Sequence, residues 1–492
     1  MKEARLVGKP ALGIKGISMA EDVRQVGLEQ LFDIQRQAFE HDMNPSRQVR
    51  DDRLARLLAM TEKHGNAIAE AISADFGHRS RHETDMAEVF VAITGIRHAR
   101  RHLARWMKPR RVPTALHFLP GRCRILRQPL GVVGIVSPWN YPFYLAVAAT
   151  IGAIAAGNRV MIKPSELTPR FSQLFADIVG EFFAAEEAAV VVGDVEVGKA
   201  FVELPFDHLF FTGSTAVGRL VAQAAAKNLT PVTLELGGKS PAILDDSCDL
   251  ARAAPSLVMG KLLNAGQSCI APDYVLLPAG REEAFQVALA AAVTRLYPRL
   301  HDNPDYTSIV SDRHFRRLHD LLEDARSKGA RVVTINPAAE TFASENRKMP
   351  LHVLFGVSDD MAVMSEEIFG PLLPVVSVRT LGEAIHFVNR HPRPLALYWF
   401  GTDCANRERV LNQTIAGGVT INDTLMHYAQ EELPFGGVGP SGEGAHHGEY
   451  GFLTFTKEKP VFYQAAIKGT GLLYPPYGRR FERVLSLLKR LV

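Results

Sequence analysis

The sequence predicts an α/β fold with two doubly wound lobes. Short β-rich runs alternate with helical runs from about residue 131, an order typical of a parallel sheet covered on both faces. The alternation starts again after about residue 241, which indicates a second lobe of the same class. The chain has 492 residues, 47% hydrophobic and 22% charged, enough for two or more ordinary globular cores. We expect a cleft between the lobes, where small molecules commonly bind.

The elements of the first lobe follow from local periodicity. Residues 21–107 show helical spacing with a strongly charged surface, so a helical region precedes the sheet. Later runs rich in β-branched residues predict strands, and apolar runs with helical spacing predict the helices between them. The predicted strands are Val132–Val136, Val160–Ile162, Ala189–Val192, His208–Phe211 and Pro231–Glu235, and the predicted helices are Ala146–Ala156, Phe171–Phe183 and Ala216–Lys227.

The second lobe repeats this arrangement with longer helices. The same two periodicities separate its strands from its helices. The predicted helices are Leu250–Leu262, Glu282–Leu296 and Asp312–Lys328, and the predicted strands are Tyr274–Leu277, Arg331–Thr334, Leu373–Val378 and Val419–Asn422.

Composition excludes several protein classes. Lys and Arg number 56 against 53 Asp and Glu, a formal charge of +3, so net charge indicates neither a nucleic-acid nor a membrane partner. The cysteines Cys123, Cys248, Cys269 and Cys404 lie far apart without a C-x-x-C pair, which argues against a disulfide scaffold and a zinc ribbon. This usage is typical of a reducing compartment, and we expect a cytoplasmic protein.

Three segments bear on secretion and membranes. Met1–Glu21 has no apolar core, so we expect no secretory signal. Phe143–Gly157 is the most apolar stretch, but it is too short and too rich in Ala and Gly to span a bilayer, and we expect a buried helix. Phe481–Val492 is basic and amphipathic. We favour its packing against a partner subunit or the protein's own body over a membrane surface, and expect no stable membrane anchor.

A basic stretch, Arg97–Arg111, predicts a solvated helix face or an interface. Nucleic-acid binding is the less favoured alternative, because the overall charge is close to neutral. Within this stretch His98 and His102 are spaced i, i+4, as in a metal-binding pair. They lack the glutamate of H-E-x-x-H, so we expect an ordinary surface pair and no metal.

Two glycine-rich segments differ in what they predict. Gly437–Gly442 matches G-x-G-x-x-G, but Pro440 interrupts it and no strand–helix unit surrounds it, so we expect only a tight loop. Phe211–Gly218 follows a predicted strand and opens a predicted helix. There Gly213 permits close backbone approach, and the free N–H groups of the helix end favour a pyrophosphate.

A second turn of the same lobe, after the strand Val160–Ile162, carries Lys163 and Glu166. These side chains are suited to hydrogen-bonding ribose hydroxyls, and the alternative is a solvated pair at a strand end. A carboxylate at Glu166 would repel a 2′-phosphate, which favours NAD over NADP.

Two further residues are candidates for chemistry. Cys269 lies in a Gly/Ser-containing loop after a predicted helix, either as a small buried residue or as a nucleophile whose thiolate needs activation. Glu235 ends an apolar strand and precedes two glycines. It is either a salt-bridged strand end or a general base whose pKa is raised in an apolar cleft. The pattern alone leaves these alternatives open.

Seven motifs together resemble those of the NAD(P)-dependent aldehyde dehydrogenase superfamily. They occur in that family's order, with its spacing between Glu235 and Cys269, and the similarity runs from about residue 30 to about residue 480. The motifs are Pro138–Pro142, Lys163–Glu166, Phe211–Thr215, Leu234–Lys239, Gly266–Cys269, Glu366–Pro371 and Pro434–Gly437.

The resemblance implies an enzyme that oxidises an aldehyde to the carboxylic acid. Cys269 would attack the carbonyl carbon to form a thiohemiacetal, and the Asn140 amide with the Cys269 backbone N–H would hold the oxyanion. Hydride transfer to nicotinamide would leave a thioester, which water activated by Glu235 would hydrolyse. In some related enzymes the carboxylate matching Glu367 is argued to be the base, so that division of labour stays open.

The resemblance also implies a cofactor site, and we expect no metal among the site residues. NAD is the expected cofactor, and NADP stays open. The residues expected to bind it are Trp139, Lys163, Glu166, Gly213, Ser214, Gly218, Glu367 and Phe369.

The same resemblance implies the domain limits. We expect a Rossmann-like dinucleotide-binding lobe at 1–115 and 135–235 and a catalytic lobe at 236–445. A small β oligomerisation arm and the C-terminal tail would occupy 116–134 and 446–492. Class 3 members are usually dimers, so we expect a homodimer.

Features of the C-terminal half indicate the branch. Gln267–Tyr274 and Gly437–Gly448 resemble class 3, and Ile421–Leu433 resembles bacterial coniferyl aldehyde dehydrogenases. These similarities imply an aromatic or phenylpropenyl aldehyde such as coniferaldehyde. A long-chain aliphatic aldehyde is the alternative, which the amphipathic tail supports. Glu443 stands where an apolar residue is expected, and its charge weighs against a purely apolar substrate.

Two other readings share the expected fold. A CoA-acylating dehydrogenase would release the thioester to CoA, but a hydrolytic base such as Glu235 is what that chemistry should avoid. A catalytically silent homologue would lack one of Asn140, Glu235 and Cys269, and all three are present.

Overall fold

The computed structural model describes residues 27–342 and 344–491. The absence of a secretory signal in Met1–Glu21 and the start of the helical region at residues 21–26 are predictions that lie outside the described residues, as does the last residue of the tail.

The strands form three separate sheets. In chain order they are β1 (Arg110–Val112), β2 (Arg122–Pro129), β3 (Val132–Val136), β4 (Arg159–Lys163), β5 (Ala188–Val190), β6 (His208–Thr212), β7 (Val232–Glu235), β8 (Pro241–Leu244), β9 (Tyr274–Pro278), β10 (Arg331–Ile335), β11 (Leu351–Phe355), β12 (Leu372–Val378), β13 (Ala396–Phe400), β14 (Gly418–Ile421), β15 (Gly442–Glu443) and β16 (Thr456–Tyr463).

The helices precede, connect and follow these strands. In chain order they are α1 (Leu28–His41), α2 (Arg47–Phe76), α3 (Arg81–Thr84), α4 (Val91–Trp106), α5 (Pro142–Ala156), α6 (Pro169–Phe182), α7 (Val195–Glu203), α8 (Thr215–Lys227), α9 (Leu250–Leu262), α10 (Glu282–Leu296), α11 (Asp312–Ser327), α12 (Ala362–Ser365), α13 (Leu381–Arg390), α14 (Cys404–Gln413), α15 (Gly448–Thr454) and α16 (Arg479–Leu491).

The first lobe contains a six-stranded sheet in the order β15–β7–β6–β3–β4–β5. All neighbouring pairs are parallel except β15 with β7, which is antiparallel. The central strands are buried on both faces, which is why they read as continuous apolar runs rather than alternating ones. Helix α5, which follows β3, is buried along almost its whole length, so the predicted buried helix at 143–157 is confirmed.

The second lobe contains a seven-stranded sheet in the order β10–β11–β12–β9–β8–β13–β14. Only the edge strand β10 runs antiparallel to its neighbour. The predicted α/β class with two doubly wound lobes is therefore confirmed. The sequence reading missed β8, β11 and β13, which are short apolar runs without alternation.

A three-stranded antiparallel sheet, β1–β2–β16, forms an arm outside the two lobes. Strand β2 pairs with β16 along the full length of both strands. The predicted domain limits stay a prediction, and strand pairing adds detail to them. It places β1 in the arm sheet, β3 as a whole in the first lobe, and β15 on the edge of the first lobe's sheet.

The tail and the basic stretch pack on the chain itself. Helix α16 contacts the turn Gly469–Leu473, which in turn contacts the arm near Leu116–Phe118. In the basic stretch, Arg97 and Arg100 form ion pairs with Glu62 and Asp51 of α2 at 2.7 and 2.9 Å. Among the residues that the structure describes, no helix is both long and apolar enough to cross a bilayer.

Candidate active site

The loop that carries Cys269 has an unusual backbone. After α9, Asn264, Ala265 and Gly266 all take positive φ angles, 53°, 52° and 77°. A Cβ on Gly266 would lie 2.6 Å from the Gly370 carbonyl oxygen, so the loop passes directly against the segment 366–370. Non-glycine residues in this region cost about 1–3 kcal/mol each, a strain that commonly marks functional sites.

Side-chain amides hold this loop in place. The Gln267 amide nitrogen donates to the carbonyl oxygens of Asn264 and Ser308 at 2.9 and 3.1 Å, and its carbonyl oxygen accepts from the Val310 N–H at 2.9 Å. The Asn264 amide nitrogen donates to the Asn140 carbonyl oxygen at 3.0 Å. The loop is thereby tied to both lobes, and its strained backbone has little freedom to relax.

Asn140 lies beside the same loop. Its amide nitrogen donates to the Gln267 carbonyl oxygen at 3.2 Å, two residues before Cys269. Its own carbonyl oxygen accepts from Arg79 at 2.9 Å. The structure thus brings the predicted oxyanion donor to the predicted nucleophile, from the opposite lobe.

A buried charged network beneath these residues was missed by sequence reasoning. Arg79 forms an ion pair with Glu88 at 2.8 Å, with both side chains fully buried. The Glu88 carboxylate accepts from the backbone N–H groups of Phe143 and Tyr144 at 2.7 and 3.1 Å, at the start of α5. A π-helical segment, Asp85–Phe90, turns Glu88 inward. In one sequence these residues resemble the solvated charges of an amphipathic helix, so no signal could have found them.

Glu83 supports the Cys269 loop from the same network. Its carboxylate accepts from the Asn264 N–H at 3.1 Å and from the Thr307 hydroxyl at 2.6 Å. Burial raises the pKa of Glu83 to about 7 although these donors and the nearby Arg79 lower it. The sequence reading missed this residue for the same reason as Glu88.

The Cys269 thiol lies in an environment that disfavours the thiolate. Burial, and then the carboxylates of Glu367 and Glu235, raise its pKa far above the ordinary range, while the backbone N–H groups of Cys269 and Ile270 oppose the shift. Cys269 is therefore a thiol at rest. Its activation needs a base within reach and a stabilised product, and both neighbouring carboxylates are candidates for that base.

Glu235 ends β7 and is buried. Burial raises its pKa well above the usual value. Neither of its carboxylate oxygens finds a hydrogen-bond partner among the described residues. In its ionised form such a group is a stronger base than an ordinary carboxylate, so it is suited to take a proton from a water molecule or a thiol.

Glu367 lies against the turn that follows Glu235. A Cβ on Gly237 would overlap the Glu367 carboxylate, so any larger residue at this position would displace that side chain. Burial and the charge of Asp273 raise the pKa of Glu367 to about 8, while the Gly238 N–H, Lys239 and Arg317 lower it. Both carboxylates, Glu235 and Glu367, are close enough to Cys269 to raise the pKa of its thiol.

The segment carrying Glu367 is fastened by buried charges. Asp273 accepts from the Ile368 N–H at 2.9 Å and forms an ion pair with Lys239. Arg317 of α11 donates to the carbonyl oxygens of Glu367 and Ile368 at 2.6 and 2.8 Å. These contacts fix the backbone on both sides of the Glu367 side chain.

Phe369 follows with a positive φ of 55°. Its ring lies 5.4 Å from the Trp139 ring in an edge-on arrangement, and Trp139 also contacts His314 at 5.0 Å. The strained backbone aims the Phe369 ring across the cleft at the first lobe.

Next to these rings a cavity of about 860 Å³ opens over the carboxyl ends of β3, β4 and β6. Dinucleotides bind at this edge in doubly wound sheets. The predicted cofactor residues that line the cavity are Trp139, Lys163, Glu166, Gly213 and Ser214. Gly218, Glu367 and Phe369 are placed beside it rather than on its wall.

The turn before α8 fits a phosphate group. Ser214 caps α8 by accepting from the Val217 N–H at 3.4 Å, and the N-terminus of a helix of this kind favours an anion. A Cβ on Gly213 would lie 2.6 Å from the Phe211 ring, and one on Gly218 would lie 2.5 Å from Leu236. Both glycines are therefore required for close packing around the turn.

Lys163 and Glu166 occupy the far end of the cavity. The Lys163 ammonium group donates to the Pro164 carbonyl oxygen at 2.7 Å, and burial lowers its pKa. Both side chains remain available for ribose hydroxyls, and the residues present fit an adenosine dinucleotide.

The segment Gly437–Gly442 is a tight loop, as predicted. A Cβ on Gly437 would overlap the Ser441 carbonyl oxygen, and Gly439 has a φ of 64°. The Pro440 carbonyl oxygen accepts from Thr215 at 3.0 Å, which joins the loop to the start of α8. Glu443, noted for its charge, is exposed on the short strand β15.

Comparison with known proteins is consistent with this geometry. The profile of the Aldehyde dehydrogenase family matches residues 10–461. The chain belongs to the aldehyde dehydrogenase family. A probable coniferyl aldehyde dehydrogenase of Pseudomonas aeruginosa is 50% identical over 94% of this chain and 96% of its own length. A coniferyl aldehyde dehydrogenase of a Pseudomonas species is 47% identical over 94% of this chain and 97% of its own length.

Class 3 relatives and solved structures agree with this assignment. The family 3 member B1 of Bos taurus is 38% identical over 92% of this chain and 95% of its own length. A substrate-bound aldehyde dehydrogenase of Staphylococcus aureus, solved as AldH, superposes with a TM-score of 0.89 at 38% identity, covering 94% of this chain and 100% of that one.

A more distant solved structure bears on the cofactor. The NAD-dependent aldehyde dehydrogenase of Sinorhizobium meliloti superposes with a TM-score of 0.79 at 26% identity, covering 93% of this chain and 89% of that one. The expected enzyme class and the predicted resemblance are therefore confirmed, and this aldehyde dehydrogenase uses NAD(P).

The raised pKa of Glu367 makes stability depend on pH. In the folded protein its pKa is about 8, against 4.5 for an unperturbed glutamate, so the folded state holds a proton that the unfolded state has released. The stabilisation is complete below pH 4.5 and is lost as pH rises through about 8. We expect Glu367→Gln, which cannot ionise, to become progressively more stable than the wild type across this window, as measured by thermal unfolding.

Glu366→Gln is the matched control, because Glu366 is the exposed sequence neighbour and pairs with Arg317 at 3.1 Å. Its stability difference from the wild type should stay nearly constant over the same pH range. A difference for Glu367→Gln that does not change with pH would show that the carboxyl group is not held protonated.

Proposed function

We propose that this aldehyde dehydrogenase oxidises an aromatic phenylpropenyl aldehyde, such as coniferaldehyde, to the carboxylic acid. The observation that carries the proposal is the convergence of Cys269, Glu235, Glu367 and Asn140 on one strained loop beside a dinucleotide-sized cavity. The names of the two Pseudomonas relatives support the substrate class.

An aromatic wall near the nucleophile also supports that class. The Tyr428 ring lies 5.8 Å from Tyr144 and 4.5 Å from Phe435, both in edge-on contacts. Burial, and then the neighbouring Tyr144, Cys269 and Glu235, raise the pKa of the Tyr428 hydroxyl, which places this ring near the nucleophile. Planar aromatic substrates pack well in such edge-on surroundings.

In the first step, the Cys269 sulfur bonds to the aldehyde carbon. Its proton passes to a neighbouring carboxylate, because the thiolate is the nucleophile. The carbonyl oxygen becomes an oxyanion that the Asn140 amide and the Cys269 N–H stabilise. One donor of this kind is typically worth about 2.7–4 kcal/mol.

In the remaining steps, the intermediate bound to the Cys269 sulfur is oxidised and then released as the carboxylic acid. NAD(P)+ held in the cavity lined by Trp139, Lys163, Glu166 and Ser214 would supply the hydride acceptor. With the hydride gone from carbon, the oxyanion collapses to a thioester on Cys269. Glu235 removes a proton from water, and the hydroxide adds to the thioester carbon. The Cys269 thiolate leaves as the acid forms and takes the proton back from Glu235. Glu367, Phe369 and Trp139 would hold the nicotinamide against the intermediate on Cys269 and exclude bulk water.

A substrate panel with two variants tests the reaction and the aldehyde together. We expect fast formation of reduced nicotinamide on coniferaldehyde, less on benzaldehyde and hexanal, and none with Cys269→Ala. Glu235→Gln should give one rapid burst of reduced nicotinamide per active site. Its steady rate should fall by about 10²–10⁴, because thioester hydrolysis has lost its base. Rapid-mixing absorbance measures both phases.

Glu367→Gln is the matched variant for the base, since it carries the same change on the other buried carboxylate. A normal burst followed by slow turnover in that variant alone would transfer the base role to Glu367. Preference for a long-chain aldehyde would keep the mechanism and overturn the aromatic substrate. Turnover that survives Cys269→Ala would overturn the nucleophile.

NAD is the preferred cofactor in this proposal. Glu166 lines the cavity, and a carboxylate there repels a 2′-phosphate. We expect Glu166→Gln to shift the ratio of kcat/KM for NAD and NADP toward NADP by about tenfold, equal to about 1.4 kcal/mol. Glu203→Gln is the control, because Glu203 lines the same cavity but pairs with Lys227 at 2.9 Å. An unchanged ratio in Glu166→Gln would contradict the proposal.

The arm supports the proposal of a homodimer. Apolar side chains are exposed on and beside its strands: Leu116, Phe118, Leu119, Phe462 and Tyr463. Contiguous exposed apolar surface of this kind marks interaction sites. We expect light scattering to give about twice the chain mass of 54.1 kDa, and Leu116→Asp, at a side chain 70% exposed, to weaken the dimer. A monomeric wild type would contradict this.

A cytoplasmic location is part of the same proposal. The four cysteines are free thiols in the folded chain, with the reactive Cys269 among them. Free thiols persist in a reducing compartment.

A further inference from the structure

Two histidines of α4 face a glutamate from a distant part of the chain. His98 and His102 lie one turn apart, and Glu432 belongs to the loop 423–435. One ligand atom from each residue lies within 4.8 Å of the other two. The His98 Nε2 to Glu432 Oε1 distance is 3.4 Å, and that from His102 Nε2 is 4.0 Å. We propose that these three residues bind a divalent transition-metal ion of the zinc type.

The donor set and its spacing suit such an ion. Zinc is bound by imidazole nitrogens and carboxylate oxygens at about 2.0–2.2 Å, often by two His and one Glu with a water as the fourth ligand. Tetrahedral ligands at that radius lie about 3.4 Å apart, the separation found here between His98 and Glu432. Glu432 is 65% exposed, so a small rotation of its side chain brings the second distance into the same range.

The imidazole nitrogens are free to bind an ion. His102 Nδ1 lies 2.9 Å from the His98 carbonyl oxygen. A carbonyl can only accept, so the proton is on Nδ1 and the lone pair of Nε2 faces Glu432. Metal-binding histidines are commonly oriented by this kind of contact. His98 Nε2 is buried and has no hydrogen-bond partner among the described residues, although Glu432 is near.

The rings are held in position before any ion arrives. His102 stacks on the buried Trp106 ring at 5.9 Å, and His98 lies 4.2 Å from His102. The guanidinium groups of Arg101 and Arg105 lie near enough to His98 to disfavour a cation. The positive charge of Arg105 is partly offset by the carboxylate of Glu449 at 3.9 Å. The carboxylate of Glu432 would face the ion directly. The preorganised rings and this carboxylate make the site selective for metals that prefer nitrogen over oxygen ligands.

An ion here would fasten the loop 423–435 to α4. That loop carries Tyr428 and ends at Phe435, which are two of the three rings of the aromatic wall. The neighbouring Glu431 is partly buried and already packs against Gly95 of α4. A metal bound through Glu432 would therefore stabilise the folded state and restrict the wall. This goes beyond the proposed oxidation, which needs no metal.

The test uses the full chain without a histidine tag, freed of metal by a chelator. The Cys269→Ala background removes the reactive thiol as a competing ligand. We expect calorimetric titration with Zn²⁺ to give one site per chain, and Zn²⁺ to raise the thermal unfolding temperature. Co²⁺ should give the visible absorption of a tetrahedral site without a thiolate charge-transfer band, since the ligands are nitrogen and oxygen.

Glu432→Gln and His102→Ala should each weaken Zn²⁺ binding by about tenfold or more. Glu432→Gln replaces one carboxylate oxygen of an exposed side chain with an amide nitrogen, so we expect the variant to fold as the parent does. His64→Ala is the control. His64 of α2 pairs with Glu181 of α6 at 3.0 Å, so it is a histidine–glutamate pair that lacks the second histidine of the proposed site. Equal Zn²⁺ binding in Glu432→Gln and the parent, or no binding in the parent, would overturn the proposal. Neither result bears on the oxidation reaction, which is measured separately.

Discussion

The active site depends on one buried arginine. Arg79 lies between the Glu88 carboxylate and the Asn140 carbonyl oxygen, with the rings of Phe76 and Tyr141 on either side at 5.2 and 4.9 Å. Removing one partner of such a buried pair typically costs about 3–5 kcal/mol, because a charge is left without compensation. Through these contacts a helical segment that takes no part in the proposed chemistry sets the position of Asn140, the predicted oxyanion donor.

The sequence predicted the helices and strands that carry a regular hydrophobic pattern, and it did not predict the short strands that lack one. The strands and helices of both lobes follow from periodicity that every residue of an element shares, and helices such as Leu250–Leu262 match their predicted limits. The strands Leu351–Phe355 and Ala396–Phe400 were missed because a short apolar run buried on both faces carries no alternation.

The site residues divide in the same way. Cys269, Glu235 and Asn140 were predicted as site residues because seven motifs had a recognisable order, and the structure places them around one loop. Glu83 and Glu88 were not predicted, because the sequence does not distinguish a buried glutamate from a solvated one. Only the tertiary packing shows which glutamates are buried. Glu432 belongs to this second group. Its place beside His98 and His102 depends on how a loop far along the chain folds back on α4.

Strand β15 has a consequence for how the protein forms. It is the edge strand of the first lobe, antiparallel to β7, yet the whole catalytic lobe lies between them in the sequence. During synthesis, which presents the N-terminal part first, β7 with Glu235 emerges long before its neighbour. Its open edge can pair with other strands in that interval. The cofactor sheet is complete only after the second lobe has left the ribosome, so the two lobes cannot mature as independent units.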